Sequence, residues 1–391
     1  MPTVDYQLAT TVLQDLVRIP SVNPDLVTGA DGETKIANYI ADTLDGWGLE
    51  VQVREIAEGR PNVIATLKGT GGGQTLLFNG HMDTVGVEGM AEPYSGEVRD
   101  GRLYGRGAID MKGSLAATMA ATKGLIDSGM TLRGTVVFTY VADEEYASIG
   151  TSAIADDIRQ GRLRRPDGAV NTEATGLRVG VGHKGFTWLE VVTEGKAAHG
   201  SRPDLGVDAI AQMGKLLVEV DRLQGQLAAG AQHHPLLGAG SVHASLINGG
   251  REMSSYPGRC TLKLERRTVP PETADSVSEE LEKIISRLST EDPAFHASSR
   301  VMFVRNPWQA DPRSKIVKTT AAAIEAVTGV PSTTMTQTGW LDSALLGDVG
   351  IPTVICGPSG EGLHAEVESI DVTSLGTCAE IYEEIIRRFC A

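Results

Sequence analysis

Cysteine is scarce in this chain of 391 residues: Cys260, Cys356, Cys378 and Cys390 are the whole set. They form no CxxC and lie in apolar or helical stretches, which excludes a disulfide framework and a thiolate zinc site and suits reduced thiols. Long hydrophobic runs are missing too. No stretch approaches the roughly 20 apolar residues of a membrane-spanning helix, and the first ten residues lack the charged-then-apolar build of a secretory signal. A cytoplasmic protein with no membrane partner is expected. Positive charge is in deficit, with 35 Lys+Arg against 50 Asp+Glu and a formal net charge of -15. Such a surface repels nucleic acid, and no basic patch overrides the mean. Any metal here must be held by His and carboxylates.

What is present suffices for two compact domains, since 41% of residues are hydrophobic and 22% charged. The first 180 residues alternate patterns: Leu8, Val12 and Leu16 mark one helix face, residues 63–67, 75–79 and Thr135–Val141 read as buried strands, and 114–127 reads as a helix. This alternation predicts an α/β domain whose mixed sheet is flanked by helices, with a site at the strand ends. The tail repeats the texture, with helices at 314–328 and 372–389 and a strand at 352–356. Between them, 184–303 reads as strand-helix-strand-strand-helix-strand, with helices near 206–223 and 273–288. This predicts an inserted α+β domain splitting the catalytic domain into 1–183 and 304–391. The Gly- and Ala-rich stretch 226–240 is expected to be a loop.

Five clusters carry chemistry. In Leu77-Phe78-Asn79-Gly80-His81-Met82-Asp83 an apolar strand runs into His and Asp two apart, on one face. A metal-bound imidazole commonly hands its second ring proton to a carboxylate, so Asp83 is placed to orient His81. Gly105-Arg106-Gly107-Ala108-Ile109-Asp110 sets an acid in a Gly-punctuated turn before a small-residue helix. Asp143-Glu144-Glu145 ends a buried strand; one carboxylate can bind metal while its neighbour takes a proton from water. Glu173 follows another apolar strand, and His364 stands in a glycine-rich loop after the strand at 352–356. Alone, each fits a satisfied core histidine, a helix cap or an acidic loop. Together, two His and three or four carboxylates at strand ends form the hard donor set that two zinc ions would use.

On these motifs the sequence resembles the dinuclear zinc amidohydrolase and peptidase family that includes acetylornithine deacetylase, succinyl-diaminopimelate desuccinylase and bacterial glutamate carboxypeptidase. The resemblance runs from Ile19-Pro20-Ser21-Val22 to His364-Ala365-Glu366-Val367-Glu368. It implies that His81, Asp110 and Glu173 hold one Zn2+ and Asp110, Glu145 and His364 the other, with Co2+ or Mn2+ as alternative metals and Glu144 as general base. It implies a zinc-peptidase-like catalytic domain, an inserted lid or dimerisation domain, and a homodimer. In Ala198-His199-Gly200-Ser201-Arg202-Pro203, His199 would reach the substrate carbonyl, often in the partner's site. In Glu265-Arg266-Arg267, Arg267 would pair with a substrate carboxylate, with Lys184 as the fallback cation. The sequence departs from the family at Ser254, where an Asn usually stands three residues before the Pro, here Pro257. The expected substrate is an N-acyl amino acid, with a carboxypeptidase or dipeptidase acting on short peptides as the alternative.

Other classes fare worse. Gly180-Val181-Gly182-His183-Lys184-Gly185 fits GxGxxG, but a strand pattern follows where a dinucleotide site needs a helix N-terminus. Gly357-Pro358-Ser359-Gly360-Glu361 lacks the final glycine of a nucleophile elbow. A non-catalytic metal-binding homologue would typically have lost a ligand or the base, and all are present.

Overall fold

Strands buried on both faces set the architecture of the catalytic half. The computed structural model describes residues 3–230 and 233–391. The chain divides into two units. One holds Met1–Val181, Ala310–Met335 and Leu341–Ala391, and the other Gly182–Gln309 and Thr336–Trp340.

In the first unit Thr75–His81 is buried at every residue. It runs parallel to Thr135–Val141 on one side and to Gly168–Asn171 on the other, with Asn79 opposite both Thr139 and Asn171. Thr353–Ile355 extends the parallel set, Ile355 lying opposite Asn171. Arg60–Leu67 joins Thr135–Val141 antiparallel, and Glu50–Ala57 joins Arg60–Leu67 antiparallel, so the sheet is mixed. Near-continuous apolar runs are what strands covered on both faces require. Successive residues show the two covers. Leu77, Val137 and Ala169 pack with Ile154 and Ile158 of the helix Ile149–Arg159 and with Leu346 of Ser343–Asp348. On the opposite face Phe78 stacks on Phe138 at 5.5 Å and meets Tyr382 of the helix Val372–Cys390 at 5.2 Å. The helix Gly113–Asp127 is rich in small residues and almost wholly buried, packed between Tyr6–Arg18 and Val372–Cys390.

The consequence for the site is topological. Four neighbouring parallel strands end at one edge of the sheet, and the segments holding His81, Asp143 to Glu145, Glu173 and His364 each follow one of these ends. A small antiparallel sheet then draws the tail to the front of the chain, pairing Ser369 with Tyr104 and Ile370 with Leu103.

The second unit is an antiparallel sheet in the order Ser241–Gly249, Arg259–Thr268, Gly185–Glu194, His296–Arg305. Arg259–Thr268 alternates between buried and partly exposed residues, the signature of one covered face. Leu189, Val191, Leu262 and Leu264 form its core with Leu216 of the helix Ala209–Ala229 and Ile285 of Ala274–Glu291. Each such side chain contributes about 1.5–3 kcal/mol on burial.

Two expectations need correction. Residues 226–229 are helical, because Leu223 and Leu227 continue the apolar stripe of Leu216 and Val220 onto the core; the helix stops at Gly230, φ 86°. The rest of the expected loop includes residues 231 and 232, which lie outside the described residues. The join expected at 303/304 falls inside the strand His296–Arg305, whose Arg305 still pairs with Phe186. The unit continues to Gln309 and takes in Thr336–Trp340, where Thr336 Oγ1 donates to the Leu236 carbonyl at 3.2 Å and Trp340 Nε1 to that of Asn306 at 3.1 Å.

Among the described residues no helix is long and apolar enough to cross a membrane. The four cysteines are buried and unpaired. The GxGxxG glycines lie in and between the strands Val179–His183 and Gly185–Glu194, with no helix following.

Candidate active site

His81 closes its strand with a buried ring. Nδ1 lies 2.9 Å from the Asp83 carbonyl oxygen and 3.4 Å from its carboxylate, acceptors that call for a proton on Nδ1 and turn Nε2 toward the site. Nε2 is 3.2 Å from Asp110 Oδ1 and 3.6 Å from Glu173 Oε1. The other Asp110 oxygen is 3.2 Å from His364 Nε2, which is 3.1 Å from Glu145 Oε2. Asp110 thus belongs to two donor groups, His81–Asp110–Glu173 and Asp110–Glu145–His364, in each of which the ligand atoms lie within 4.8 Å of one another.

The Asp110 turn is held by a residue distant in sequence. Buried Glu368 accepts from the backbone N–H groups of Gly107 (3.0 Å), Ile109 (3.0 Å) and Asp110 (3.1 Å) and from Arg106 Nη1 (2.6 Å). Gly107 sits at φ 81°, where a side chain would be strained. Asp83 has a second task besides orienting His81. Its two carboxylate oxygens accept from the N–H of Glu144 (3.0 Å) and of Glu145 (3.2 Å), so the carboxylate fixes the turn beyond the neighbouring strand while the main-chain carbonyl of the same residue meets the His81 ring.

Electrostatics mark this cluster as short of positive charge. Burial opposes ionisation of His81, but Asp110, Asp83 and Glu173 outweigh it and hold the imidazole well above its ordinary value. Burial also opposes the Asp110 charge, and His364 and His81 pull its carboxyl below the usual range. Burial, then the charges of Asp110 and Glu145, pushes Glu173 up to about 8 against the pull of His81. Burial and Asp342, Glu173 and Glu145 raise Glu144 well above the carboxylate range. Glu145 Oε1 is buried with no hydrogen-bond partner. An orphaned buried carboxylate oxygen among imidazole and carboxylate donors fits a site for divalent cations.

His81, Asp83, Asp110, Glu144, Glu145, Glu173 and His364 therefore come together in the first unit. The remaining candidates belong to the second. His199 is exposed, with Nδ1 2.8 Å from Ser201 Oγ, and its segment pairs with the Ser254 segment, Gly200 N–H donating to the Ser254 carbonyl at 2.7 Å. Arg267 Nε donates to Glu265 at 2.7 Å, and its guanidinium lies 5.0 Å from the centre of the Phe186 ring. Lys184 Nζ donates to the Ala239 carbonyl at 2.7 Å. Sequence reasoning missed what Glu368, Asn23 and Asp342 do. Asn23 Nδ2 bridges Asp83 (2.8 Å) and Asp143 (2.9 Å), while buried Asp342 accepts from Thr151 at 2.6 Å. No local pattern announces such residues, because their partners are 60 to 262 positions away.

Fold and site together define a class: an α/β protein that gathers two candidate donor groups sharing one carboxylate at the ends of parallel strands. Residues 77–388 match the profile of Peptidase family M20/M25/M40, and the chain belongs to that family of hydrolases acting on amide bonds. It is 27% identical over 326 residues to a protein of Staphylococcus epidermidis named as a probable succinyl-diaminopimelate desuccinylase, covering 76% of this chain and 78% of that one. It is 26% identical over 390 residues to the N-formyl-4-amino-5-aminomethyl-2-methylpyrimidine deformylase of Bacillus subtilis, covering 91% and 89%. Solved structures share the fold. Aminopeptidase PepT of Bacillus cereus gives a TM-score of 0.80 at 20% identity over 100% of both chains. A dinuclear metal-binding M20 peptidase of Bacillus subtilis gives 0.75 at 18% identity over 98% of both.

Proposed function

We propose that this chain hydrolyses the amide bond of an N-acyl amino acid. The observation that carries the reading is Asp110, one carboxylate shared between two imidazole-containing donor groups, with Glu144 beside the ligand Glu145. His81, Asp110 and Glu173 would hold one Zn2+ and Asp110, Glu145 and His364 the other, with Co2+ or Mn2+ as alternatives. Bound there, the two cations would supply Lewis acidity and make a bound water more acidic. Glu144 takes the proton of the attacking water and returns it to the leaving nitrogen, which needs a carboxylate not spent on metal. Asp83 keeps Glu144 and Glu145 in place through their N–H groups. Deacylation is favoured over peptide cleavage because the two sequence relatives, at 27% and 26% identity, carry names for removal of succinyl and formyl groups, whereas the two peptidase structures match in fold at 20% and 18% identity.

The second unit would act as lid and dimerisation domain. Its edge strand Ser241–Gly249 exposes Leu246 and Ile247, and the adjacent helix exposes Ile210 and Val218, an apolar edge suited to a second copy. His199 would serve the substrate carbonyl, in the partner's site if the dimer forms. Arg267, held by Glu265 and Phe186, would pair with the substrate α-carboxylate, with Lys184 in reserve and Ser254 in place of the family's amide. The test is a panel of N-acetyl, N-succinyl and N-formyl amino acids and two dipeptides, offered to protein loaded with Zn2+, Co2+ or Mn2+. Turnover of an acyl amino acid and not of its α-amide is expected. Equal turnover of acid and amide would remove the carboxylate from recognition, and cleavage of the dipeptides alone would make the enzyme a dipeptidase.

A further inference from the structure

Behind the acidic turn lies a buried polar network that the proposed chemistry does not use. Arg60 is 4% exposed. Its guanidinium clamps Glu33 through Nε (2.7 Å) and Nη2 (2.8 Å), reaches Asp143 Oδ1 through Nη2 (2.9 Å) and meets Asp25 through Nη1 (2.6 Å). Glu33 and Asp143 are themselves 0% and 1% exposed, so this one guanidinium faces two buried carboxylates and a third at the rim.

Asp143 is the hinge of the arrangement. Its φ of 69° is a region that residues with a side chain rarely adopt, so its surroundings must impose it. Those surroundings are specific. Its N–H donates to Glu33 Oε1 at 3.2 Å, and its Oδ2 accepts from the N–H groups of Ala147 (3.2 Å) and Ile149 (3.3 Å). Its Oδ1 takes Arg60 and Asn23 together. The same Asn23 nitrogen donates to Asp83, whose carboxylate holds the Glu144 and Glu145 N–H groups. The turn is thus gripped from both ends. Asp83 holds it from the His81 strand, and Glu33 with Arg60 holds it from the helix Thr34–Gly46 and the strand Arg60–Leu67.

We propose that Arg60 is a positioning residue for the active site: by holding Asp143 and Glu33 it imposes the left-handed turn that sets where Glu144 and Glu145 stand. This rests on the assignment of Glu145 as ligand and Glu144 as base. The physical reason is that a planar fork satisfies two carboxylates at fixed angles, whereas an ammonium group neutralises them without fixing either. Loss of the fork leaves Asp143 held only by Asn23 and the Ala147 and Ile149 N–H groups, with Glu33 no longer fixed above its own N–H, so the turn loosens and the carboxylates that follow it lose their register.

The experiment compares wild type with Arg60→Lys and with Arg266→Lys, the control. Arg266 is a guanidinium of similar burial, held by Glu272 and Glu280 in the second unit. Metal-stripped protein is titrated with Co2+ and followed by its visible absorption, and amide hydrogen exchange is read at Glu144 to Ser148. For Arg60→Lys, Co2+ binding should weaken by about 10-fold with an altered spectrum, as loss of an outer support does in metal sites. Exchange should rise at Glu144 and Glu145, and kcat on the acyl substrate should fall more than KM rises. Arg266→Lys should match wild type in Co2+ affinity, spectrum and amide exchange. A folded Arg60→Lys that binds Co2+ with wild-type affinity and spectrum and protects both amides overturns the proposal. If Arg60→Lys does not fold, Glu33→Gln, which loosens the fork that Arg60 makes with Glu33 and Asp143, is read in the same way. If wild type hydrolyses no acyl amino acid the substrate reading fails, while the metal and exchange measurements still decide the role of Arg60.

Discussion

The two units treat charge in opposite ways. The first buries it: His81, Asp83, Arg60, Glu33, Asp143, Glu173, Asp342 and Glu368 are all at most 5% exposed. The second keeps a largely apolar core and sets His199, Ser254 and Arg267 on exposed or half-exposed positions; its buried exceptions include Arg266, tied to Glu272 and Glu280, Glu219, tied to Arg222 and Arg287, and His183. Buried charges are tolerated only where partners answer each of them, so the first unit fixes its geometry internally. The second leaves the side chains proposed for recognition open to solvent. Mutations in the first unit should therefore destroy chemistry, and those in the second should change recognition and assembly.

The largest effect that would break this contrast is at Asp110. Asp110→Asn removes charge from both donor groups, and bound metal, measured by elemental analysis, should fall from two equivalents to less than one with turnover lost. Retention of both metals would mean that the groups do not share this carboxylate. Glu144→Ala should keep both metals and lose about 10²-fold or more in kcat, the scale of general base catalysis. Near-normal turnover would remove Glu144 from the mechanism. In the second unit Arg267→Lys should lower kcat/KM by about 10-fold, since a charged hydrogen bond of moderate strength is at stake. Amidating the substrate carboxylate should abolish the difference between Arg and Lys enzymes. Mixed His199→Ala and Glu144→Ala subunits should recover one working site if His199 acts across a dimer. Leu246→Asp should convert a dimer to a monomer by light scattering while changing stability by no more than about 0.5 kcal/mol, as exposed positions usually do.

The smallest effect concerns the thiols. Burial pushes Cys356 and Cys390 up to about 12 from an ordinary value of 9.0. Folded protein holds these protons where unfolded protein releases them, so their contribution to stability is complete below about pH 9. It is lost as pH rises toward 12. A thiol reagent at pH 8 should label neither in native protein and all four cysteines in denaturant. Fast native labelling would show that the first unit opens locally.

Much of the site was legible because strands covered on both faces leave a plain trace. Runs such as Leu76-Leu77-Phe78 and Val136-Val137-Phe138 are apolar without alternation, so the polar residues that follow them stand out. Boundaries were less legible where one pattern runs into another. Residues 226–229 are composed like a loop, yet Leu227 gives them a place on a core that the stretch itself does not reveal.

The sequence by itself determined the buried strands and the polar residues at their ends, since periodicity and composition are local quantities. Only the tertiary structure decided that Asp110 is shared between two groups, that Glu368 holds its turn from 258 positions away, and that Arg60 and Asn23 bind Asp143. The reason is physical: hydrogen bonds reach about 3 Å in space irrespective of separation along the chain. A carboxylate that grips a distant turn looks, in sequence, like any solvated acid.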